Sequence, residues 1–450
     1  MIRRAAARAL AFAVALSATS RAAAELGAEG TRITTNDYRI DLFQGPVLGG
    51  ARVTGLGGAY SPIAEGVAGF STNAASPAVR PLWSHSWFDF DLDASITFPN
   101  LLAQTDFYNS GSKSFEYKNF VFGTLGLNLQ FGNWGVGGSF TGQTYSLGGD
   151  VASSLQLQLA RSNLLLARSL LEGQLVIGAG LRVASLAFNA TEGDSTKNLF
   201  TTTSAGYEAG IFVAPLKLPM RFALTGRSKM NPDAPQDSPD LLRDVNGQVY
   251  VNGRDKWYLP QSVELPWEVE AGFALQLGPR PLNQPWVNTH HPPDDYLEEI
   301  RLVDGTVIRR KSVKYAEDKA HQRYRALPRE KALLVGSVLV SGPVADAVGL
   351  ESFLVQYVQR SGTRAVVTPR VGVEAEPFAN AVQLRAGSYL EPSRFAGRTP
   401  RLHGTLGVEF RLFRWSVFGL LEDDTSWRIG AYADAARGYA SWGVTAGIWH

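Results

Sequence analysis

The 450-residue chain has no cysteine, three methionines and only 19% charged residues. Without cysteine there is neither a disulfide framework nor a thiol to carry a lipid anchor. Past residue 24 no run of 18 or more apolar residues occurs, which excludes a helical membrane span in the mature chain. Charge falls below the roughly 25% usual for soluble domains. The formal net charge is +2, with both signs mixed throughout, so no nucleic-acid footprint is visible. G-x-S-x-G, H-E-x-x-H and P-loop patterns are also missing, so the strong enzyme signatures are absent and no cofactor is expected. His290-His291 with Asp294-Asp295 could ligate a metal, but prolines intervene and no helix fixes the donors, so we read a solvated polar insert and no metal site.

The chain is instead rich in residues of strands and turns: 46 glycines and 11% aromatics. Its first 24 residues read as a cleaved export signal. Arg3, Arg4 and Arg8 precede the apolar run Ala9 to Ala18, and Ala22-Ala23-Ala24 supplies a small-residue cleavage site. An exported chain of this size without disulfides fits a bacterial periplasm or outer membrane.

Beyond residue 84 the sequence alternates. In "SWFDFDLDASITF", Phe88, Phe90, Leu92, Ala94, Ile96 and Phe98 share one face, and Asp89, Asp91, Asp93, Ser95 and Thr97 the other. The pattern recurs over 117–130, 134–143, 155–159, 175–183, 205–213, 220–227 and 265–277, and it returns after 331. Residues 414–421 ("RWSVFGLL") are read as the penultimate strand. Phe120 and Phe122 break their strand's pattern. Short and long connections alternate, and strands near 11 residues tilted by about 45° cross roughly 25 Å of hydrocarbon. Aromatics near strand ends, among them Trp83, Trp87, Tyr117, Trp134, Trp257, Tyr258, Trp267, Trp415, Trp442 and Trp449, are expected to form interface girdles.

These features predict an all-β, transmembrane antiparallel β-barrel over 84–450. It has about 14 strands, or 16 if Phe353 to Val358 and Trp427 to Ala433 are both strands. Leu350, Phe353, Leu354, Tyr357 and Val358 share a helical face, which favours a loop there. Residues 279–331, Pro-rich and then charged, read as an insert on the short-turn, periplasmic side. Asp89, Asp91, Asp93, Arg182, Glu208, Glu268 and Glu270 are expected to face the lumen, because a midplane charge facing lipid costs about 2 to 4 kcal/mol. The aspartates either form an acidic stripe that binds a cation or steers a ligand, or keep the wall wet and pair with arginines such as Arg182.

Residues 25–83 do not alternate. "GLGGAY" has the glycines of a dinucleotide loop, but no strand precedes it and no βαβ unit follows. Ser61-Pro62 reads as the start of a short helix that "EGVAGF" ends. Glycines with Ala51, Ala59 and Ala64 allow close backbone packing, as in a plug crowded within a lumen. The stretch "GGARVTGLGGAYSPIAEGVAGFSTNAASPAV" resembles the start of the FadL-type outer-membrane family, the long-chain fatty acid transporters with their aromatic-hydrocarbon and secretion-associated relatives. Gly50, Arg52, Gly55, Gly57, Gly58, Ala59, Glu65, Phe70 and Asn73 match the family's pattern, while Pro77 comes later than the family's proline.

The resemblance implies a 14-stranded barrel with an N-terminal Gly-rich hatch in the lumen. Gly50, Arg52, Gly55, Gly57, Gly58, Glu65, Phe70, Asn73 and Pro77 would gate it, and hydrophobic ligands would be captured from outside. The implied partners are the lipid bilayer and a small hydrophobic molecule. The alternative is a non-transporting barrel that serves protein secretion, with a periplasmic protein bound by 279–331. A secreted soluble β-sandwich or propeller is a third reading.

Overall fold

The computed structural model describes residues 26–101, 105–112, 115–148, 154–192, 195–234, 244, 248–251, 255–301, 306–328, 331–416 and 425–449. The export signal lies outside them. In chain order the strands are β1 (Arg39–Asp41), β2 (Phe88–Phe98), β3 (Glu116–Phe131), β4 (Trp134–Gly148), β5 (Ser154–Leu170), β6 (Leu175–Glu192), β7 (Ser195–Val213) and β8 (Met220–Arg227). Three short strands follow, β9 (Val249–Val251), β10 (Asp255–Trp257) and β11 (Ser262–Glu264), and then β12 (Glu268–Leu277). The hairpin β13 (Glu298–Arg301) and β14 (Val307–Arg310) precedes β15 (Ala332–Ser341), β16 (Ala347–Val348) and β17 (Arg360–Ser361). The chain closes with β18 (Val366–Phe378), β19 (Val382–Glu391), β20 (Arg401–Arg414), β21 (Ser426–Ala436) and β22 (Tyr439–Trp449). The helices are α1 (Ala51–Gly55), α2 (Val313–Arg325) and α3 (Leu350–Val355).

Fourteen strands form one closed antiparallel barrel, in the order β12-β15-β18-β19-β20-β21-β22-β2-β3-β4-β5-β6-β7-β8. Period-two alternation sorts the two faces. Ile96, Leu127, Phe140, Leu181, Ile211, Phe273 and Leu406 stand exposed outside, while Asp91, Asp93, Gln130, Glu208, Glu270 and Glu374 are buried inside. An apolar outer wall around a polar interior is the pattern of a barrel in lipid.

The strand count agrees with the sequence reading, but one strand differs. Residues 414–421 do not form the penultimate strand: β20 ends at Arg414, Trp415 and Ser416 are irregular, and 417–421 lie outside the described residues. That place is taken by β21. Its outer face, Ile429, Ala431, Ala433 and Ala435, is small-residue rich, so its alternation is weak beside the apolar run that precedes it.

The longest strands reverse their polarity partway. On β5 and β6, Leu155, Leu157, Leu159, Leu186 and Phe188 point inward. Seventeen and 18 residues outreach a hydrocarbon slab of about 25 Å, so at the long-loop end water lies outside and a packed interior within. On β3 a bulge between Lys118 and Val121, with Asn119 at φ 53°, turns Tyr117 into that interior. Phe120 and Phe122 instead keep the inward parity of Asn128 and Gln130, and are apolar because they meet the loop core and a cavity. Of the expected girdle, Trp134, Trp267, Trp415 and Trp442 are exposed, whereas Tyr117, Trp257 and Trp449 are buried.

Connections at one end are short at 132–133, 171–174, 214–219 and 379–381 and longer at 278–331, which carries β13, β14 and α2, and at 415–425, of which 417–424 lie outside the described residues. At the other end, loops converge on a large core that includes Phe107, Tyr145, Leu157, Phe188, Trp257, Phe353 and Tyr439. The amphipathic 350–358 stretch is there as α3, within a loop.

Candidate functional site: a plugged lumen and its cavity

Residues 46–79 lie inside the barrel. Turns over 56–63 replace the helix expected at Ser61, and the helical pieces are α1 and 3-10 turns at Val67–Ser71 and Ser76–Ala78. Positive φ at Gly57 (62°), Gly58 (79°) and Gly66 (61°) breaks the helical course.

The wall receives this segment on glycines. Gly126 faces Val67, Gly135 faces Pro77, Gly137 faces the Phe70 ring and Gly178 faces Ala74. Gly210 meets Asn73, Gly272 meets Ser61, Gly372 meets Leu56, Gly387 meets Gly57 and Gly407 meets Ala51. A Cβ on Gly272, Gly372 or Gly407 would stand 2.7 Å from plug atoms, closer than van der Waals contact allows. The sequence reading looked for glycines in the plug and missed those of the wall. Their signal was a glycine at an inward, otherwise polar position of a strand.

Charges then fasten plug to wall. Arg52 donates Nε and Nη2 to the two Glu374 oxygens (2.9 and 3.1 Å), and Nη1 to Glu65 (2.9 Å) and the Tyr60 hydroxyl (3.1 Å). Glu65 is shared with Arg221 (2.6 Å), and Glu374 with Arg385 (2.7 Å), which also reaches Glu409 (2.7 Å). Asp91 accepts from the Val67 amide (2.8 Å), and Gln130 donates to the carbonyls of Pro77 and Val79. Asn73 joins Ser61 and Ile211 carbonyls with its amide and caps Ala75 N with its oxygen. Gly50 precedes α1 and lies against Thr445 and Asp93. Sequence reasoning named Arg52 and Glu65 but not their partners Arg221, Glu374 and Arg385, which sit on separate strands.

The acidic stripe splits. Asp93 pairs with Arg428 (2.5 Å), Asp91 serves the plug, and Asp89 accepts from the Phe90 amide (2.8 Å). Arg182 lies elsewhere, near Glu208, Glu268 and Arg227, so the suggested pairing with the aspartates is replaced. Arg227 bridges Glu208 (3.7 Å), Glu268 (3.3 Å) and the Ser71 carbonyl (2.7 Å), and Arg370 pairs with Glu270 (3.5 Å).

Between plug and outer loops lies a cavity of about 200 Å³. Phe43, Val47, Val53, Phe122 and Leu265 supply an apolar side, and Arg161, Asn163, Arg182, Arg227 and Glu268 a polar one. Among the described residues no group of three or more His, Asp or Glu could hold a metal. His290 stacks on Trp87 (centroids 4.9 Å), and Asp295 pairs with Arg323 (2.9 Å).

No protein-family model and no curated protein matches the sequence. Solved structures do share the fold. The CymD monoaromatic hydrocarbon channel superposes with a TM-score of 0.51 at 10% identity, covering 89% of this chain and 96% of that one. A Pseudomonas aeruginosa FadL homologue gives 0.50 at 10% identity, covering 90% and 98%. A TodX monoaromatic hydrocarbon channel mutant gives 0.50 at 11%, covering 89% and 98%.

Proposed function

We propose that the protein is a FadL-type outer-membrane channel for small hydrophobic molecules, with residues 46–79 as its hatch. The observation that carries the reading is the filled lumen: a segment seated on wall glycines and pinned by buried ion pairs beneath a half-apolar cavity. A scaffold barrel has no use for a cavity above a separately fastened plug. The shared fold with proteins titled as monoaromatic hydrocarbon channels supports the same reading. A flat or chain-like apolar molecule would enter at the long-loop end, rest against Phe43, Val53 and Phe122, and pass as the plug yields. In this reading the hatch expected over 25–83 narrows to residues 46–83, since 26–43 run among the loops at the long-loop end; 84–450 form the barrel and 279–331 a periplasmic insert.

The test is uptake of the dye N-phenyl-1-naphthylamine by proteoliposomes. Entry faster than into empty liposomes is expected, with a different rate once residues 50–78 are removed. An unchanged rate after that removal would sink the hatch.

A further inference from the structure

The chain that precedes the plug does not stay in the lumen. Residues 26–43 rise to the long-loop end, where β1 is inserted as a strand between two loops. It pairs in parallel with β11, Arg39 opposite Ser262 and Asp41 opposite Glu264, and in parallel with β16, Arg39 opposite Ala347 and Ile40 opposite Val348. β11 belongs to the loop between β8 and β12, and β16 to the loop between β15 and β18. A third loop, between β19 and β20, is tied in by Arg394, whose Nε donates to the buried Asp41 (2.9 Å); Ser361 Oγ, in the same loop as β16, donates to Asp41 as well (2.7 Å). Upstream, Gly30 and Ile33 amides donate to Val358 and Gln356 carbonyls (2.8 and 2.9 Å), Thr31 O accepts from the Val358 amide (2.8 Å), and Arg360 holds the Leu26 and Gly27 carbonyls.

Downstream, Leu42, Phe43 and Gln44 line the 200 Å³ cavity, and Val47 N donates to the Tyr389 hydroxyl (3.1 Å) only four residues before α1. One continuous stretch is therefore lid strand, cavity wall and plug.

We propose that residues 26–48 are a strap: the protein closes the outer mouth of its lumen by inserting its own N-terminal strand between two loops, and the chain at Leu26 stands on the outer face. Withdrawing β1 leaves β11 and β16 separated by two strand spacings of about 4.8 Å, a gap of about 10 Å into which an aromatic ring fits edge-on. Because the tether to α1 is short, release of the strap also slackens the plug. The gating half of this inference rests on the channel reading above; the topology does not.

The cysteine-free sequence makes the test direct. Single variants Ala28→Cys, Ala396→Cys in a long loop and Asn380→Cys in a short turn are treated on intact cells with a membrane-impermeant maleimide. Labelling of position 28 at the rate of position 396, with position 380 protected, supports the strap. Protection of position 28 like that of position 380 overturns it. Separately, Arg39→Cys with Ala347→Cys places two thiols on paired strands within disulfide reach. Oxidised protein is expected to admit the dye at least tenfold more slowly than reduced protein in proteoliposomes. Equal rates, both above empty liposomes, overturn the gate. A reduced rate no higher than that of empty liposomes refutes the channel reading, and the strap is then decided by the labelling alone.

Discussion

Replacing Arg52 with alanine tests how the plug is held. The guanidinium makes a two-pronged bond to Glu374 and single bonds to Glu65 and Tyr60, and its side chain is 18% exposed. Hydrogen bonds to charged groups contribute about 1.5 to 3 kcal/mol each, and stripping one partner from a buried ion pair costs about 3 to 5 kcal/mol. Here each carboxylate keeps a second arginine, Arg221 on Glu65 and Arg385 on Glu374, so the lower bound applies. A cost of about 3 kcal/mol in plug docking raises its opening equilibrium by about 100-fold, at 1.4 kcal/mol per tenfold. A thiol at Ser61, fully buried with an unpartnered Oγ against Gly272, reports that opening by its modification rate in folded barrel. The Ser61→Cys thiol is expected to react about 100-fold faster in the Arg52→Ala background. Arg52→Lys should recover little of this, since an ammonium cannot make the two-pronged contact. Acceleration below threefold would refute the claim that this cluster fastens the plug.

Three further outcomes are expected. Gly137→Leu, whose side chain would overlap the Phe70 ring, should speed labelling at position 61 as Arg52→Ala does, and Phe70→Ala in the same chain should restore protection; no recovery would mean the wall glycines do not seat the plug. Leu127→Arg puts a charge on the outer wall and should lower barrel stability in lipid by about 2 to 4 kcal/mol near midplane, read as folding yield against urea, whereas Leu127→Val should not. Burial raises the Glu351 carboxyl on α3 from 4.5 to about 7, against hydrogen bonds from Ser110 and Tyr117 that oppose the rise. The folded loop then keeps a proton that the unfolded chain sheds, so loop-core protection should be greatest below pH 4.5, fall as pH climbs to about 7, and lose that dependence in Glu351→Gln, as hydrogen exchange would show.

Where one face of a strand meets lipid, the sequence was legible, because apolar and polar residues must alternate there: β2 and β8 lie where the pattern put them. It misled where the outer solvent changes, as on β5, whose inward leucines serve the loop core. It was weakest on β21, where alanines do the work of larger residues. The plug's family-like residues pointed to Arg52 and Glu65. Their partners on β8, β18 and β19 could not be found that way, since ion pairs across a lumen have no fixed sequence spacing.

A plug whose two ends leave by opposite mouths has a consequence for biogenesis. Its N-terminal end is stitched among the surface loops, while its far end runs through Arg80, hydrogen-bonded to the Trp87 and Gly132 carbonyls, into β2 at the tight-turn rim. No finished cylinder could be threaded so without drawing the leading chain through a crowded bore. The seam between β2 and β22 should therefore zip shut around a plug already in place, which makes the occupant a template for the wall that encloses it.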